Sequence, residues 1–270
     1  MDDRPIGVFD SGLGGLTTVR ELCRLLPEED IVYFGDTGRV PYGSRSRETI
    51  VKYARQDVAF LRTFDLKTIV IACGTVSTTA LDVLAAENPI PVLGVVAPAA
   101  RAAARATRSG SIGLIGTQAS IRSGAYERLI RAENPAARVL AQPCPLFVPL
   151  VENGRFRPGD VVIETVAAEY LAPLREAGVD TLVLGCTHYP LLEKVIGAYM
   201  GPEVRLINSG AEGAWAAADC LRERDALARP GRGSCRCFVS DRQEDFSRLA
   251  STFLGWDVAQ AVEQVDISQY

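Results

Sequence analysis

The sequence has little of several things that whole classes of function need. Its 270 residues include one histidine, which excludes a site built from several histidine ligands and leaves His188 for any imidazole chemistry. Lysine and arginine number 29 against 33 aspartates and glutamates, so the net charge is −4. That balance does not favour nucleic acid, and no run of basic residues resembles a phosphate-binding stripe.

Long apolar runs are also missing. No uninterrupted stretch approaches the roughly 20 residues that a membrane helix requires. The acidic residues 1–5 do not resemble a secretory signal. Seven cysteines are an odd number in a long chain, which argues against a disulfide framework. We therefore expect a cytoplasmic protein with reduced thiols, no metal site, and no nucleic-acid or membrane partner.

Short runs rich in Val, Ile and Leu are present throughout and are typical of buried parallel strands. They cover residues 6–9, 31–34, 68–72, 92–96, 112–115, 139–141, 181–184 and 204–207. Amphipathic stretches lie between them; Leu16, Val19 and Leu22 share one helical face, and Ser46 is a plausible N-cap. The alternation predicts an α/β fold with mainly parallel sheets.

Three of these runs repeat in the same order at nearly one spacing. The offsets are 112 − 6 = 106, 181 − 68 = 113 and 203 − 91 = 112. We expect two pseudo-symmetric βα domains, residues 1–97 plus 210–270 and residues 98–209, with the active site in the cleft between them. The tail adds a helix at 211–228, a strand at 235–239 and a helix near 243–254, and should return to the first domain.

Two cysteines follow matching strands of this repeat. Cys73 comes directly after Ala72, and Cys186 directly after Gly185. Backbone N–H groups and a helix dipole at such turns favour a thiolate over a thiol. Two equivalent acid–base groups on opposite walls suit a reaction in which one removes a proton from carbon and the other protonates the opposite face.

Other polar residues lie at the same predicted sheet edges. Asp10 and Ser11 open a glycine-rich turn that could hold an anion or an ammonium group. The Tyr42-Gly43 pair could present an amide to a carboxylate. The remaining candidates are Thr75, Thr187, His188 and Glu152. Taken alone, Glu152 is interpreted as a solvated carboxylate.

Together these motifs resemble the glutamate racemases of the aspartate/glutamate racemase superfamily. The matching segments are residues 9–16, 35–36, 41–43, 72–75, 149–152 and 185–191. The resemblance implies interconversion of L- and D-glutamate without pyridoxal phosphate or metal. It also implies supply of D-glutamate for peptidoglycan in a bacterial cytoplasm, commonly by a homodimer.

The resemblance assigns roles residue by residue. Cys73 and Cys186 match the acid–base thiols, Cys73 acting on D-glutamate and Cys186 on L-glutamate. Asp10, His188 and Glu152 match residues that assist them. The substrate-anchoring positions that it implies are Asp10, Ser11, Tyr42, Gly43, Gly74, Thr75, Thr187 and His188.

One position departs from the pattern. The family's asparagine after the first thiol is Gly74 in this chain. Losing a hydrogen bond to a charged group costs roughly 1.5–3 kcal/mol, so we expect Gly74→Asn to raise glutamate turnover. Three alternatives stay open: an aspartate racemase, an activity-impaired amino-acid-binding relative, and an NAD-dependent oxidoreductase. The last would use the glycine-rich turn and Asp36, which lies 36 − 15 = 21 residues beyond Gly15.

Overall fold

The structure, a computed structural model, describes residues 1–256 and 262–270. Its strands are β1 (Ile6–Asp10), β2 (Ile31–Gly35), β3 (Thr68–Ile71), β4 (Val92–Gly94), β5 (Ser111–Gly116), β6 (Arg138–Pro143), β7 (Thr181–Leu184), β8 (Arg205–Asn208), β9 (Cys235–Val239) and β10 (Val262–Gln264). Its α-helices are α1 (Leu16–Leu25), α2 (Arg47–Leu61), α3 (Gly74–Thr79), α4 (Leu81–Glu87), α5 (Val96–Ala106), α6 (Gln118–Arg122), α7 (Ala125–Glu133), α8 (Phe147–Glu152), α9 (Val161–Glu176), α10 (Glu193–Met200), α11 (Ser209–Glu223) and α12 (Gln243–Leu254). Short 3₁₀ turns occur at Tyr42–Ser44, Tyr189–Leu192 and Ile267–Gln269.

Two parallel sheets organise the chain. The first has the strand order β10-β9-β2-β1-β3-β4, and the second has the order β6-β5-β7-β8. The four strands β2-β1-β3-β4 and the four strands β6-β5-β7-β8 follow the same order, as expected from the sequence repeat. Every strand pair between neighbours is parallel. The predicted α/β class with two halves is therefore confirmed.

The tail joins the first sheet. β9 pairs with β2, Ile31 lying opposite Cys235, and β10 extends the sheet beyond β9. The return of the tail was predicted, whereas β10 was not, because three residues carry no periodic signal.

Two predicted boundaries were wrong. Residues 92–96 were expected to be one strand, but β4 ends at Gly94 and α5 begins at Val96. The helix predicted at 211–228 is α11, which begins earlier because Asn208 accepts hydrogen bonds from the N–H groups of Gly210 and Ala211. It ends at Glu223, before Asp225 takes a positive φ of 51°.

Strands β1, β2, β3 and β7 are buried along their whole length, as their continuous apolar composition predicts, whereas the edge strands β6, β8 and β10 are partly exposed. α11 packs against both α1 and α5, which connects the two halves. Among the described residues, no helix is long and apolar enough to cross a membrane.

Candidate active site

A cleft of about 360 Å³ opens where the central strands of the two sheets end. It is lined by residues that directly follow β1, β3, β5 and β7, namely Ser11, Cys73, Thr117 and Cys186. The carboxyl ends of parallel strands are the usual position of binding sites in open α/β sheets. Since β1 and β3 belong to one sheet and β5 and β7 to the other, each half supplies one wall.

The structure brings the predicted residues together. Those lining the cleft are Ser11, Tyr42, Gly43, Cys73, Gly74, Thr75, Glu152, Cys186, Thr187 and His188. Asp10 lies just behind this surface, 1% exposed at the end of β1. Its carboxylate accepts a hydrogen bond from the Gly12 N–H at 3.1 Å and from the Thr187 hydroxyl at 3.5 Å.

Cys73 ends the turn after β3 and is 4% exposed. Its Sγ lies 3.4 Å from the Ser11 Oγ. Burial raises the pKa of the Cys73 thiol to about 12, and the negative charge of Asp10 adds to that shift. The prediction that this turn lowers the thiol pKa is wrong for Cys73, because burial outweighs the hydrogen bonds from Ser11 and Val76.

Cys186 has a different neighbour. Its Sγ lies 3.9 Å from the His188 Nδ1, and the Nε2 of the same ring lies 2.9 Å from the Glu152 Oε1. Burial opposes a charge on His188, but the hydrogen bonds to Cys186 and Glu152 raise its pKa to about 10. The imidazole is therefore protonated at neutral pH. Glu152, which the sequence taken alone indicated to be a solvated carboxylate, is the hydrogen-bond partner of the His188 imidazole.

Glycines allow this second wall to approach the first. A Cβ at Gly14 would lie 2.5 Å from the His188 Nδ1 and in direct collision with Thr187. The tail helix α12 adds Phe253, whose ring meets the His188 ring edge-on at 5.5 Å. The sequence did not predict this contact, since α12 is distant along the chain.

The Tyr42–Ser44 turn closes one side of the cleft and is held by a buried ionic cluster. The Tyr42 hydroxyl donates to the Asp36 carboxylate and lies 3.1 Å from the Asp57 Oδ2. Arg39 donates to Asp36 at 2.6 Å and to Asp57 at 2.9 Å. Burial raises the pKa of Asp57 well above its usual range, and the charge of Asp36 adds to the shift.

This cluster removes the basis for a dinucleotide site. Asp36 is fully buried, and its other oxygen accepts a hydrogen bond from the Ser240 hydroxyl at 2.7 Å. A ribose cannot reach a carboxylate that is enclosed by Arg39, Tyr42 and Ser240. The sequence spacing from Gly15 was therefore misleading, because Asp36 supports the substrate-facing turn instead.

The sequence missed Thr117, on the second wall. Its Oγ1 lies 3.0 Å from the Thr75 Oγ1 and donates to the Ser120 Oγ at 3.0 Å. The repeat contained the signal, since 11 + 106 = 117 makes Thr117 the counterpart of Ser11. The apolar part of the second wall, from Cys144 to Pro149, was not predicted either.

Gly74 lies at a close approach of the two walls. A Cβ built at this position would be 2.6 Å from the backbone oxygen of Gly185, far inside van der Waals contact. The Gly185 N–H donates to the Ile115 carbonyl at 2.8 Å, which holds that strand end in place. The absent side chain is thus a condition for the narrow cleft seen here.

The cleft contains thiols, hydroxyls, an imidazole and carboxylates that can move protons and bind an amino acid. Within residues 1–256 and 262–270, no group of three or more His, Cys, Asp or Glu side chains is arranged to hold a metal ion. Groups on the two opposite walls of the cleft can transfer protons to or from a molecule bound between them.

Known proteins share this architecture. The sequence model of the Asp/Glu/hydantoin racemase family matches residues 9–217. A curated glutamate racemase from Geobacter metallireducens is 50% identical over 257 residues, 94% of this chain and 94% of that protein.

Solved structures agree. The crystal structure of a glutamate racemase isoform from Bacillus anthracis has a TM-score of 0.93 at 38% identity, covering 98% of each chain. A glutamate racemase from Francisella tularensis, solved in complex with D-glutamate, has a TM-score of 0.92 at 37% identity and covers both chains completely.

Proposed function

Because this chain belongs to the Asp/Glu/hydantoin racemase family, we propose that it is an isomerase that interconverts L- and D-glutamate, using two thiols and no cofactor. The observation that carries the proposal is the placement of Cys73 and Cys186 at equivalent strand ends on opposite walls of one cleft. The relatives named above support glutamate as the substrate in preference to aspartate.

The reaction is a proton exchange at the α-carbon. A thiolate on one wall takes the α-proton, and the C–H electron pair remains on the substrate as a planar carbanion. The thiol on the other wall gives its proton to the opposite face, which inverts the carbon. One turnover leaves the two sulfurs with exchanged protonation states.

The flanking groups give the two thiols unequal surroundings. On one wall Asp10 presents a negative charge to Cys73, whose pKa is about 12. A substrate ammonium group bound beside Asp10 would offset that charge and favour the Cys73 thiolate. On the other wall the protonated His188, held by Glu152, offsets the negative charge of a thiolate at Cys186.

Hydroxyls and the Tyr42–Ser44 turn are the proposed anchors for the substrate carboxylates. Ser11 and Thr75 line the first wall, and Thr187 lines the second. The Gly43 backbone, packed against Thr117, is exposed to the cleft. Carboxylate recognition by such fixed donors also stabilises the charge that develops in the carbanion.

Three further statements belong to the same proposal. The chain divides into domains at residues 1–97 plus 210–270 and 98–209, the division at which the two sheets separate. The enzyme acts in the cytoplasm as a homodimer. It supplies D-glutamate for peptidoglycan synthesis.

The experiment is proton NMR of L-glutamate and, separately, D-glutamate in D₂O with purified protein and no added cofactor. We expect loss of the α-proton signal together with inversion. Cys73→Ala and Cys186→Ala should each abolish inversion, because each removes one of the two proton carriers. Circular dichroism of the variants checks that they are folded.

L-Aspartate run in parallel separates the alternatives. Exchange of aspartate but not glutamate would make the chain an aspartate racemase. Exchange of neither, with intact binding of glutamate, would reduce it to an amino-acid-binding protein and overturn the proposal.

A further inference from the structure

A second cavity, of about 640 Å³, lies behind the wall of the cleft. Helix α3 forms part of the partition: its residues Gly74 and Thr75 face the cleft, and Thr78 and Thr79 line the second cavity. Helix α6 forms the corresponding part of the partition on the other half, since Gln118 faces the cleft and Arg122 lines the second cavity. The second cavity is therefore built from both halves of the chain and is separate from the thiols.

Four arginines line this cavity, two from each half. Arg45 follows the Tyr42–Ser44 turn, Arg47 begins α2, and Arg122 and Arg128 come from α6 and α7. The two pairs are far apart along the chain (122 − 47 = 75 residues), so no basic run reveals them in the sequence. Folding alone produces this concentration of positive charge.

Ion pairing decides whether these arginines are available to a ligand. Some exposed arginines of the chain pair with carboxylates, as Arg55 does with Glu87 and Arg155 with Asp160. In the part of the chain that the structure describes, none of the four cavity arginines has a carboxylate oxygen within 4 Å.

Nearby groups add donors and only modest opposing charge. Arg128 donates to the Ser123 carbonyl at 2.7 Å and Arg122 to the Gln118 carbonyl at 3.3 Å, which uses one of the five N–H donors of each guanidinium. Asp82 also lines the cavity. Thr79 contributes a hydroxyl, whereas the hydroxyls of Thr78 and Ser123 already donate to the carbonyls of Thr75 and Ser120.

We propose that this cavity binds a diphosphate group, either free pyrophosphate or the diphosphate of a nucleotide. Guanidinium forks and hydroxyls match phosphoryl oxygens, which accept several hydrogen bonds each. An arginine pair on each wall matches two adjacent phosphoryl groups. The start of α2, capped by Ser46, adds a helix N-terminus that favours negative charge.

The test is isothermal titration of the full chain with pyrophosphate, ADP, inorganic phosphate and citrate. We expect saturable binding of one pyrophosphate or ADP per chain, weaker phosphate binding, and affinity that falls with salt. Tighter binding of ADP than of pyrophosphate would identify a nucleotide as the source. Binding should also raise the Tm, because the ligand contacts both halves.

Variants localise the site. Arg47→Gln and Arg122→Gln, one from each wall, should each weaken pyrophosphate binding roughly tenfold or more, the usual loss for one charge-assisted hydrogen bond. Arg47→Lys, which keeps the charge but not the fork, should fall between them and the wild type. Arg62→Gln, at the exposed far end of the same helix α2, is the matched control and should bind normally.

The outcomes are decisive in both directions. Absence of saturable binding, equal affinity for citrate, or wild-type affinity in both glutamine variants would overturn the proposal. Displacement of pyrophosphate by saturating L-glutamate would place it in the cleft instead and also overturn it. Because binding is measured without turnover, a failure here is distinct from a failure of the racemase assignment.

Discussion

Adding a single methyl group at Gly74 should slow the enzyme. The Cβ of Gly74→Ala would lie 2.6 Å from the Gly185 oxygen, whereas ordinary contact begins at 3.4 Å. The walls must therefore separate by about 3.4 − 2.6 = 0.8 Å at this point. The Cβ is fixed directly to the backbone of residue 74 and the oxygen belongs to the backbone of Gly185, which is held by its hydrogen bond to Ile115, so no side-chain rotation can relieve the overlap.

The consequence for catalysis follows from geometry. Cys73 precedes Gly74 and Cys186 follows Gly185, so a separation there moves the two proton carriers apart. A misplacement of about 1 Å costs on the order of 10²-fold in rate. We expect kcat/KM of Gly74→Ala to fall roughly 10- to 100-fold, equivalent to about 1.4–2.7 kcal/mol.

This result changes the prediction made from sequence for Gly74→Asn. The asparagine amide can regain roughly 1.5–3 kcal/mol through a hydrogen bond to substrate, but its Cβ meets the same Gly185 oxygen. Because this gain and the loss caused by the Cβ are of similar size, we expect Gly74→Asn to be faster than Gly74→Ala and comparable to the wild type.

The assay is polarimetry of racemisation in both directions with each variant. Gly197→Ala is the matched control, because a Cβ there meets only Leu206 at 3.8 Å, an ordinary contact on the surface of α10. Wild-type kcat/KM for Gly74→Ala would refute the reasoning. A Gly74→Asn enzyme faster than the wild type would restore the view that only the amide matters.

Three other predictions concern buried charges. The pKa of His188 is raised to about 10, so the charge on His188 stabilises the fold fully below about pH 6.5, and this contribution is lost as pH rises through 10. Glu152→Gln should move the NMR titration of the imidazole to lower pH. An unchanged titration midpoint would contradict this prediction. Asp57→Ala should lower the free energy of unfolding in urea by about 3 kcal/mol and raise KM. Asp57→Asn keeps a neutral hydrogen-bond acceptor in the buried cluster and should lower the free energy of unfolding much less. Equal losses in the two variants would show that the shape of the carboxyl group is irrelevant. Lys67→Met should also cost about 3 kcal/mol by leaving the Glu29 carboxylate buried without its cation, and the further change Glu29→Met should recover much of that loss, which a double-mutant cycle measures.

Much of the fold could be predicted because parallel strands buried on both faces leave continuous apolar runs. The repeat predicted two related halves but not their strand order, which the structure shows to be the same in both. The tail's return was predicted from its lack of a counterpart. Boundaries were less predictable, since Val95 and Val96 suit a strand but begin α5. Val95 packs closely against Gly213, a tertiary contact that the local sequence does not show.

The site was predicted unevenly for a physical reason. Residues that follow strands, such as Cys73 and Cys186, are placed by the sheets themselves, and sequence position is enough to find them. Contacts between distant segments carry no local pattern. Glu152 reaches His188 from α8, and Asp36 turns away from the cleft to hold Tyr42, so both needed coordinates to interpret.

The repeat also explains why two like thiols can take unlike roles. By the offsets of the repeat, Asp10 corresponds to Gly116 (10 + 106) and Thr75 corresponds to His188 (75 + 113), so each flanking charge exists on one half only. The carboxylate of Asp10 opposes a thiolate at Cys73, whereas the wall that carries Cys186 has the imidazole of His188 instead. The two proposed proton carriers therefore have unlike electrostatic surroundings.

Such asymmetry does not bias the reaction. The enantiomers of glutamate have equal free energy, so kcat/KM for the two directions must be equal whatever the resting form. The unequal charges can change kcat/KM only by the same factor in both directions, whereas they can change kcat and KM for each enantiomer separately. Asp10→Asn should accordingly change both values for each enantiomer while leaving the ratio of the two kcat/KM values at one, and a change in that ratio would point to an error in the assay rather than to a one-way catalyst.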